Sequence, residues 1–224
     1  MTGRMVGSAL PISRRLPVYL LIDCSGSMVG EPIEAIKTGL QGFVSALNSD
    51  PQAIETVWVS VISFASVAEQ RVPLMEVTEF RPPELEPHGA TALGEALEVL
   101  TECIDAEVRK TTTEQKGDFR PMAFLFTDGE PTDRWQEPAG QFRHADLASL
   151  IVCGAGPDIK DETLKQLSDT VIHLKDTHPG TLINFMQWVT QAVASTSKSL
   201  GAHPQAQDNY AANLPAGDGI NIMP

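Results

Sequence analysis

Short apolar runs separated by stretches of helical periodicity mark this chain as an α/β protein. The architecture is a doubly wound, mostly parallel central sheet flanked by helices, Rossmann-like, with one antiparallel edge strand. The runs Val18 to Ile22, Val57 to Phe64, Met122 to Phe126 and Leu150 to Cys153 are continuous rather than alternating, as strands buried on both faces are. The segments between them place apolar residues three and four apart. Two of the runs stop at an aspartate in a turn, Asp23 and Asp128, at the strand ends where such sheets hold ligands.

Leu16 to Ile22 is the first buried strand, and it empties into the loop Asp23-Cys24-Ser25-Gly26-Ser27. Glu31-Pro32 then opens a helix whose apolar face is Ile33, Ile36, Leu40, Phe43, Val44 and Leu47; proline costs little in a first turn, and Asn48 to Pro51 ends the helix. Glu55 to Ala65 reads as a β-branched strand. Glu69 to Met75 reads as a second strand, which Pro73 confines to a sheet edge. A proline-rich connector, 81–89, leads through Ala90-Thr91 to a helix ending near Val108, with Leu93, Leu97, Leu100 and Ile104 inward. Thr111 to Asp118 is a polar loop. Met122 to Phe126 and Leu147 to Cys153 are strands, Asp161 to Leu167 a short helix, Val171 to Leu174 a last strand, and Gly180 to about Leu200 a closing amphipathic helix. The division expected is a flexible leader over 1–14, one domain over 15–200, and a flexible Gly/Pro/Asn-rich tail over 201–224.

Composition narrows the function classes. Sixteen Lys and Arg face 29 Asp and Glu, a formal charge of −13, which is the wrong sign for a reader of nucleic-acid backbones. At 42% hydrophobic and 20% charged residues the chain is globular. No apolar run approaches a membrane span. Cys24, Cys103 and Cys153 are widely spaced and odd in number, so neither a disulfide framework nor a zinc site is indicated. The first residues lack the apolar core of a secretory signal, and a cytoplasmic location is the default expectation.

Three loops fall on one rim of the expected sheet: Asp23-x-Ser25-x-Ser27, Thr91, and Asp128. They offer two carboxylates and three hydroxyls, hard oxygen donors that suit Mg²⁺, or Mn²⁺ or Ca²⁺, and no sulfur or imidazole. Alternation in D-x-S-x-S turns every second side chain toward one centre. If the two carboxylates coordinate through water and neutral hydroxyls take inner positions, a +2 ion is left undercompensated and able to take an anionic oxygen from a partner.

Asp23-Cys24-Ser25-Gly26-Ser27-Met28, Thr91 and Asp128-Gly129, in that order, resemble the von Willebrand factor type A (vWA) family and its metal-ion-dependent adhesion site, MIDAS. The resemblance extends to the bacterial TerY-like members linked to tellurite resistance and stress, through residues 14–28, 126–133 and Phe185-Met186-Gln187-Trp188-Val189. It implies a non-enzymatic signalling module that binds a metal at Asp23, Ser25, Ser27, Thr91 and Asp128. The implied partners are a protein donating a carboxylate to the ion, a protein kinase and a PP2C-type phosphatase, with no nucleic acid or membrane. The zinc-binding extension of some relatives has no counterpart in the cysteine-free tail.

Other readings stand beside these. Ser25, Ser27 and Thr91 are also ordinary cap and turn residues. Asp23 could serve as the nucleophile of a haloacid-dehalogenase-type phosphotransferase, but Ser25 stands where that family has a second aspartate. A vWA subunit serving an AAA+ ATPase or metal chelatase, and a metal-dependent phosphohydrolase, are the alternatives in function. Glu130, Asp133 and Trp135 form either a partner-binding rim or internal packing. Thr111, Thr112 and Thr113 are accessible for phosphorylation or are a plain polar connector. His88 is close to Thr91 in sequence, and Cys24 is expected to be an inert buried thiol.

Overall fold

Strand β1 (Leu16–Asp23) is buried along its whole length, because helices cover both faces of the sheet it centres. A computed structural model describes residues 14–202 and 222–223. After β1 come α1 (Glu31–Leu47), α2 (Pro51–Thr56), β2 (Val57–Phe64), β3 (Ala68–Glu76), α3 (Leu93–Glu107), β4 (Met122–Thr127), α4 (Gln136–Ala145) and β5 (Ser149–Ala155). They are followed by α5 (Asp161–Leu167), β6 (Thr170–Leu174), α6 (Pro179–Ala202) and the two-residue β7 (Ile222–Met223). The strand order is β3-β2-β1-β4-β5-β6-β7, with β3 and β7 antiparallel and the others parallel.

The chain leaves β1 in one direction toward β2 and β3, and returns on the other side of β1 through β4, β5 and β6. The β1/β4 pair is therefore the switch point, and its parallel register matches Ile22 with Phe126. One step further along, Asp23 and Thr127 stand side by side, with Asp128 following. This register fixes the site.

Alternate residues of β1 feed two cores. Leu16, Val18, Leu20 and Ile22 face α1 and α6, whereas Tyr19 and Leu21 join the apolar residues of α3, α4 and α5. On the first side Phe124 meets Trp188 edge-on, and Phe126 packs on Phe185. α6 lies close on α1, where a Cβ on Gly39 would come within 2.4 Å of Met186 Cγ. At the base of β1 the buried Arg15 reaches Asp118 with two guanidinium nitrogens, at 2.9 and 2.5 Å, and the Glu107 carbonyl at 2.7 Å.

The elements differ from the sequence reading at α2, α4 and the two-residue β7. Glu55 and Thr56 end a short helix rather than beginning β2, because Asp50 caps the turn by accepting from the Gln52 N–H at 3.1 Å, with Pro51 behind it. Residues 136–145, given no element from sequence, form α4, which has few buried residues to betray it: Pro138, Ala139 and Phe142. β3 is the expected edge strand, and its register with β2 shifts between Val59 and Val61 and again between Val61 and Ile62. Arg14, assigned to the leader, donates to the Gly117 and Asp118 carbonyls at 2.8 and 3.0 Å. In the stretch read as a tail, α6 runs to Ala202, and Ile222–Met223 pair with Ile172 and Val171. The remainder of leader and tail lies outside the described residues. Among the described residues no helix is long and apolar enough to cross a membrane.

Two helix glycines should respond oppositely to alanine. Gly42 on α1 is exposed with open space around it, so Gly42→Ala should raise stability by up to about 1 kcal/mol through helix propensity. At Gly94 a Cβ would sit 2.7 Å from Trp135 Cα and 2.9 Å from the Arg134 carbonyl, both backbone. Gly94→Ala should therefore lose about 1–3 kcal/mol in urea unfolding despite the same propensity gain.

Candidate metal centre

Asp23 ends β1 fully buried, and its carboxylate is held at both oxygens. The Ser25 N–H donates to Oδ1 at 2.7 Å, and the Thr127 hydroxyl donates to Oδ2 at 2.6 Å. Ser25 and Ser27 hydroxyls lie 3.0 Å apart, and Ser27 donates to Asp128 Oδ1 at 2.6 Å. A 3₁₀ turn over Gly26–Met28 curls the loop so that Ser27 meets both Ser25 and Asp128. Thr91 completes the group: its hydroxyl lies 3.9 Å from where a Cβ on Gly129 would stand, which places it beside the Asp128 turn. The structure thus brings together all five residues that the sequence pattern selects as donors.

Backbone bonds lash the loops to one another. The Cys24 N–H donates to the Phe64 carbonyl, the His88 N–H to Cys24, and the Gly26 N–H to Gly89, at 2.7, 2.7 and 3.1 Å. The Ala92 N–H reaches the Ala65 carbonyl at 2.7 Å, and the Ala90 N–H reaches the Ser66 hydroxyl at 3.1 Å. Gly89 has φ +69, and a Cβ there would strike Ser66 Oγ at 2.1 Å, so the loop carrying Thr91 needs glycine at this point. Thr91 also exchanges bonds with Thr132, its N–H donating to the hydroxyl and its carbonyl accepting from the N–H, both at 3.0 Å.

The rim residues suggested by the sequence are occupied inside the protein. Asp133 caps α3 by accepting from the Gly94 and Glu95 N–H groups at 3.1 and 3.0 Å. Glu130 accepts from the Lys160 N–H at 2.7 Å and the Thr163 hydroxyl at 2.9 Å. Trp135 is 7% exposed and packed in the core with α3 and α4, so it is no surface anchor. Exposed His88 turns its Nδ1 to the Glu86 carbonyl, 2.8 Å away. Burial pushes the Cys24 thiol up to about 12, in keeping with an inert group. In the exposed loop, Thr111 and Thr112 hydroxyls accept from backbone N–H groups of Gly117, Glu114 and Gln115.

Sequence reasoning missed Thr127, fully buried and bonded to Asp23. The signal was available: in a parallel pair with the Asp-containing turns aligned, the residue before Asp128 must neighbour Asp23.

Burial pushes the Asp23 carboxyl up from 3.8 to about 6, against the opposing hydrogen bonds from Ser25 and Thr127. Burial also raises Asp128, opposed by the bond from Ser27. Two desolvated carboxylates among hydroxyls are what a hard divalent cation relieves, so the residues fit such an ion. Among the described residues no cluster of three or more His, Cys, Asp or Glu is placed to hold a metal; here hydroxyls make up the set.

The switch-point position, the oxygen-only donors and the interlocked loops define a class: a Rossmann-like α/β domain with a candidate cation centre at the carboxyl edge of its sheet. Residues 18–178 match the von Willebrand factor type A domain, and the chain belongs to that family. A von Willebrand factor type A protein from Catenulispora acidiphila superposes with a TM-score of 0.61 at 18% identity, over 82% of this chain and 43% of its own. Proximal thread matrix protein 1 of the mussel byssus, with a zinc-occupied MIDAS motif, gives 0.59 at 17%, over 83% and 49%. BatB from Bacteroides thetaiotaomicron gives 0.56 at 17%, over 82% and 99%. This chain thus spans less than half the length of the first two. No curated protein matches it in sequence.

The raised Asp23 value carries a sign. The folded protein holds the proton more tightly than the unfolded chain, so without metal it loses stability as pH rises from about 4 through 6. Metal-free Asp23→Asn should therefore be more stable than metal-free wild type at pH 7 by about 1–3 kcal/mol in urea unfolding, with the gap closing toward pH 4. A gap that stays constant with pH would contradict the buried-charge account.

Proposed function

We propose that this domain binds a divalent cation through Asp23, Ser25, Ser27, Thr91 and Asp128, and through that ion a carboxylate of a protein partner. The observation that carries the proposal is the Ser25–Ser27–Asp128 chain of short bonds beside the buried, doubly held Asp23. Family membership supports it, as does the zinc in the MIDAS motif of the mussel protein. The bound ion supplies a Lewis-acidic centre with affinity for anionic oxygen. Ser25, Ser27 and Thr91 would hold the ion through neutral oxygens, and with Asp23 and Asp128 facing it through water its charge would be only partly offset, so that it would attract an outside carboxylate. Thr127 and the Ser25 N–H hold Asp23 in one orientation. The role proposed is that of an interaction module, in keeping with the family.

The finer proposal is a TerY-like component of a bacterial kinase and PP2C-type phosphatase system linked to tellurite resistance or stress. It rests on the runs 14–28, 126–133 and 185–189. Thr113, exposed at the tip of the 111–118 loop, is the threonine there proposed for phosphorylation.

Calorimetric titration with Mg²⁺ or Mn²⁺ should show one ion bound by wild type, with affinity reduced at least about tenfold in Asp128→Ala. Immobilised wild type should retain a purified partner kinase or phosphatase with the ion present and release it on adding chelator. Retention that ignores both chelator and Asp128→Ala would sink the ion-bridged mechanism. Retention of neither protein would end the finer reading alone.

A further inference from the structure

Away from the donors, one imidazole is faced by acceptors alone. His173 on β6 directs Nδ1 at the Asp161 carboxylate, at the start of α5, and Nε2 at the Gly156 carbonyl, 2.9 Å away. A neutral imidazole has one N–H and would leave a lone pair against one of these acceptors. Only the imidazolium donates to both.

The two acceptors bracket the turn from β5 to α5. Gly156, at φ +83, is gripped twice, since its own N–H donates to the Leu174 carbonyl at 2.9 Å. The same segment carries the Lys160 N–H and Thr163 hydroxyl that hold Glu130, two residues beyond Asp128. A continuous set of bonds therefore runs from β6 through α5 to the loop at the metal centre.

We propose that His173, Asp161 and Gly156 form a proton-operated latch. With both ring nitrogens protonated it fastens residues 156–163 to β6 and so braces the Asp128 loop; loss of one proton opens it. Across the sheet β5 presents Gly154 in register, and β7 meets β6 at Val171 and Ile172. Asp158 and Lys160 of the turn are exposed. Beyond β6, Lys175 pairs with Asp176 at 3.7 Å, and Asp176 accepts from the His178 N–H and the Thr181 hydroxyl. Desolvation pulls His173 down, but the bonds to Gly156 and Asp161 outweigh it, and the balance lies above 6.5. The stability that the latch contributes is thus full below about pH 6.5, the unfolded-chain value, and is lost as pH rises through the higher folded value.

Backbone amide exchange of the metal-free protein, corrected for the intrinsic effect of pH, reads the latch without requiring metal or partner binding. Between about pH 6 and 8.5, the hydrogen-bonded amides of Gly156, Lys160 and Thr163 in wild type should lose about tenfold protection. In Asp161→Asn the side-chain amide donates to Nδ1 while Nε2–H still reaches Gly156, so a neutral ring satisfies both partners and protection should persist at high pH. Ring resonances should titrate above 6.5 in wild type and lower in Asp161→Asn. A wild-type profile flat with pH, or an Asp161→Asn profile that copies it, overturns the latch. The reach to the metal centre rests on the proposed function and is read at Gly129 and Glu130: loosening in step with 156–163 supports it, and unchanged exchange there overturns the bracing.

Discussion

The parallel pairing of β1 with β4 is the constraint on which the rest depends. It sets Asp23 beside Thr127 and brings Asp128 round the next turn, so two carboxylates on residues 105 apart in the chain share one desolvated corner. Both strands are buried on both faces by helices, and that burial raises the carboxyls. The fold therefore accepts a local electrostatic penalty at the place where its topology switches direction. A folded chain without a cation carries that penalty wherever Asp23 is ionised, and the bonds from the Ser25 N–H and the Thr127 hydroxyl offset part of it.

Around this corner the loops are held by backbone more than by side chains. Cys24, Gly26, His88, Gly89 and Ala92 exchange main-chain bonds that tie the ends of β1 and β2 to the segment carrying Thr91. Asp133 and Glu130 perform the same service from the far side, one by capping α3 and the other by docking α5. Glu130 and Asp133 thus shape the candidate site through internal bonds.

Most of the architecture could be read from the chain because buried parallel strands leave an unmistakable signature: LPVYLLID and MAFLFT have no polar residue until their last positions. The five residues of the candidate site were legible from the Asp-x-Ser-x-Ser spacing, from Asp128 in the turn after a buried strand and from Thr91 just before a helix. What escaped had weak or local signals. α4 shows too few buried residues to announce a helix, and α2 depends on one capping aspartate placed before a β-branched run. The fates of Glu130, Asp133 and Trp135 depend on contacts 30 or more residues away, and no local pattern separates a capping acid from a solvated one.

The irregular register of β3 bears on how the molecule behaves in company. A sheet edge is a row of unused backbone groups, and a regular edge invites a neighbour's strand to continue the ladder. Here the outer strand slips register twice against β2, contains Pro73, and displays Glu69 and Arg71 to solvent. A second strand arriving at that margin meets interrupted hydrogen bonding and a charge it must bury. Together with a surplus of negative charge that repels like molecules, the flawed margin disfavours continuation of the ladder by a second copy of the strand.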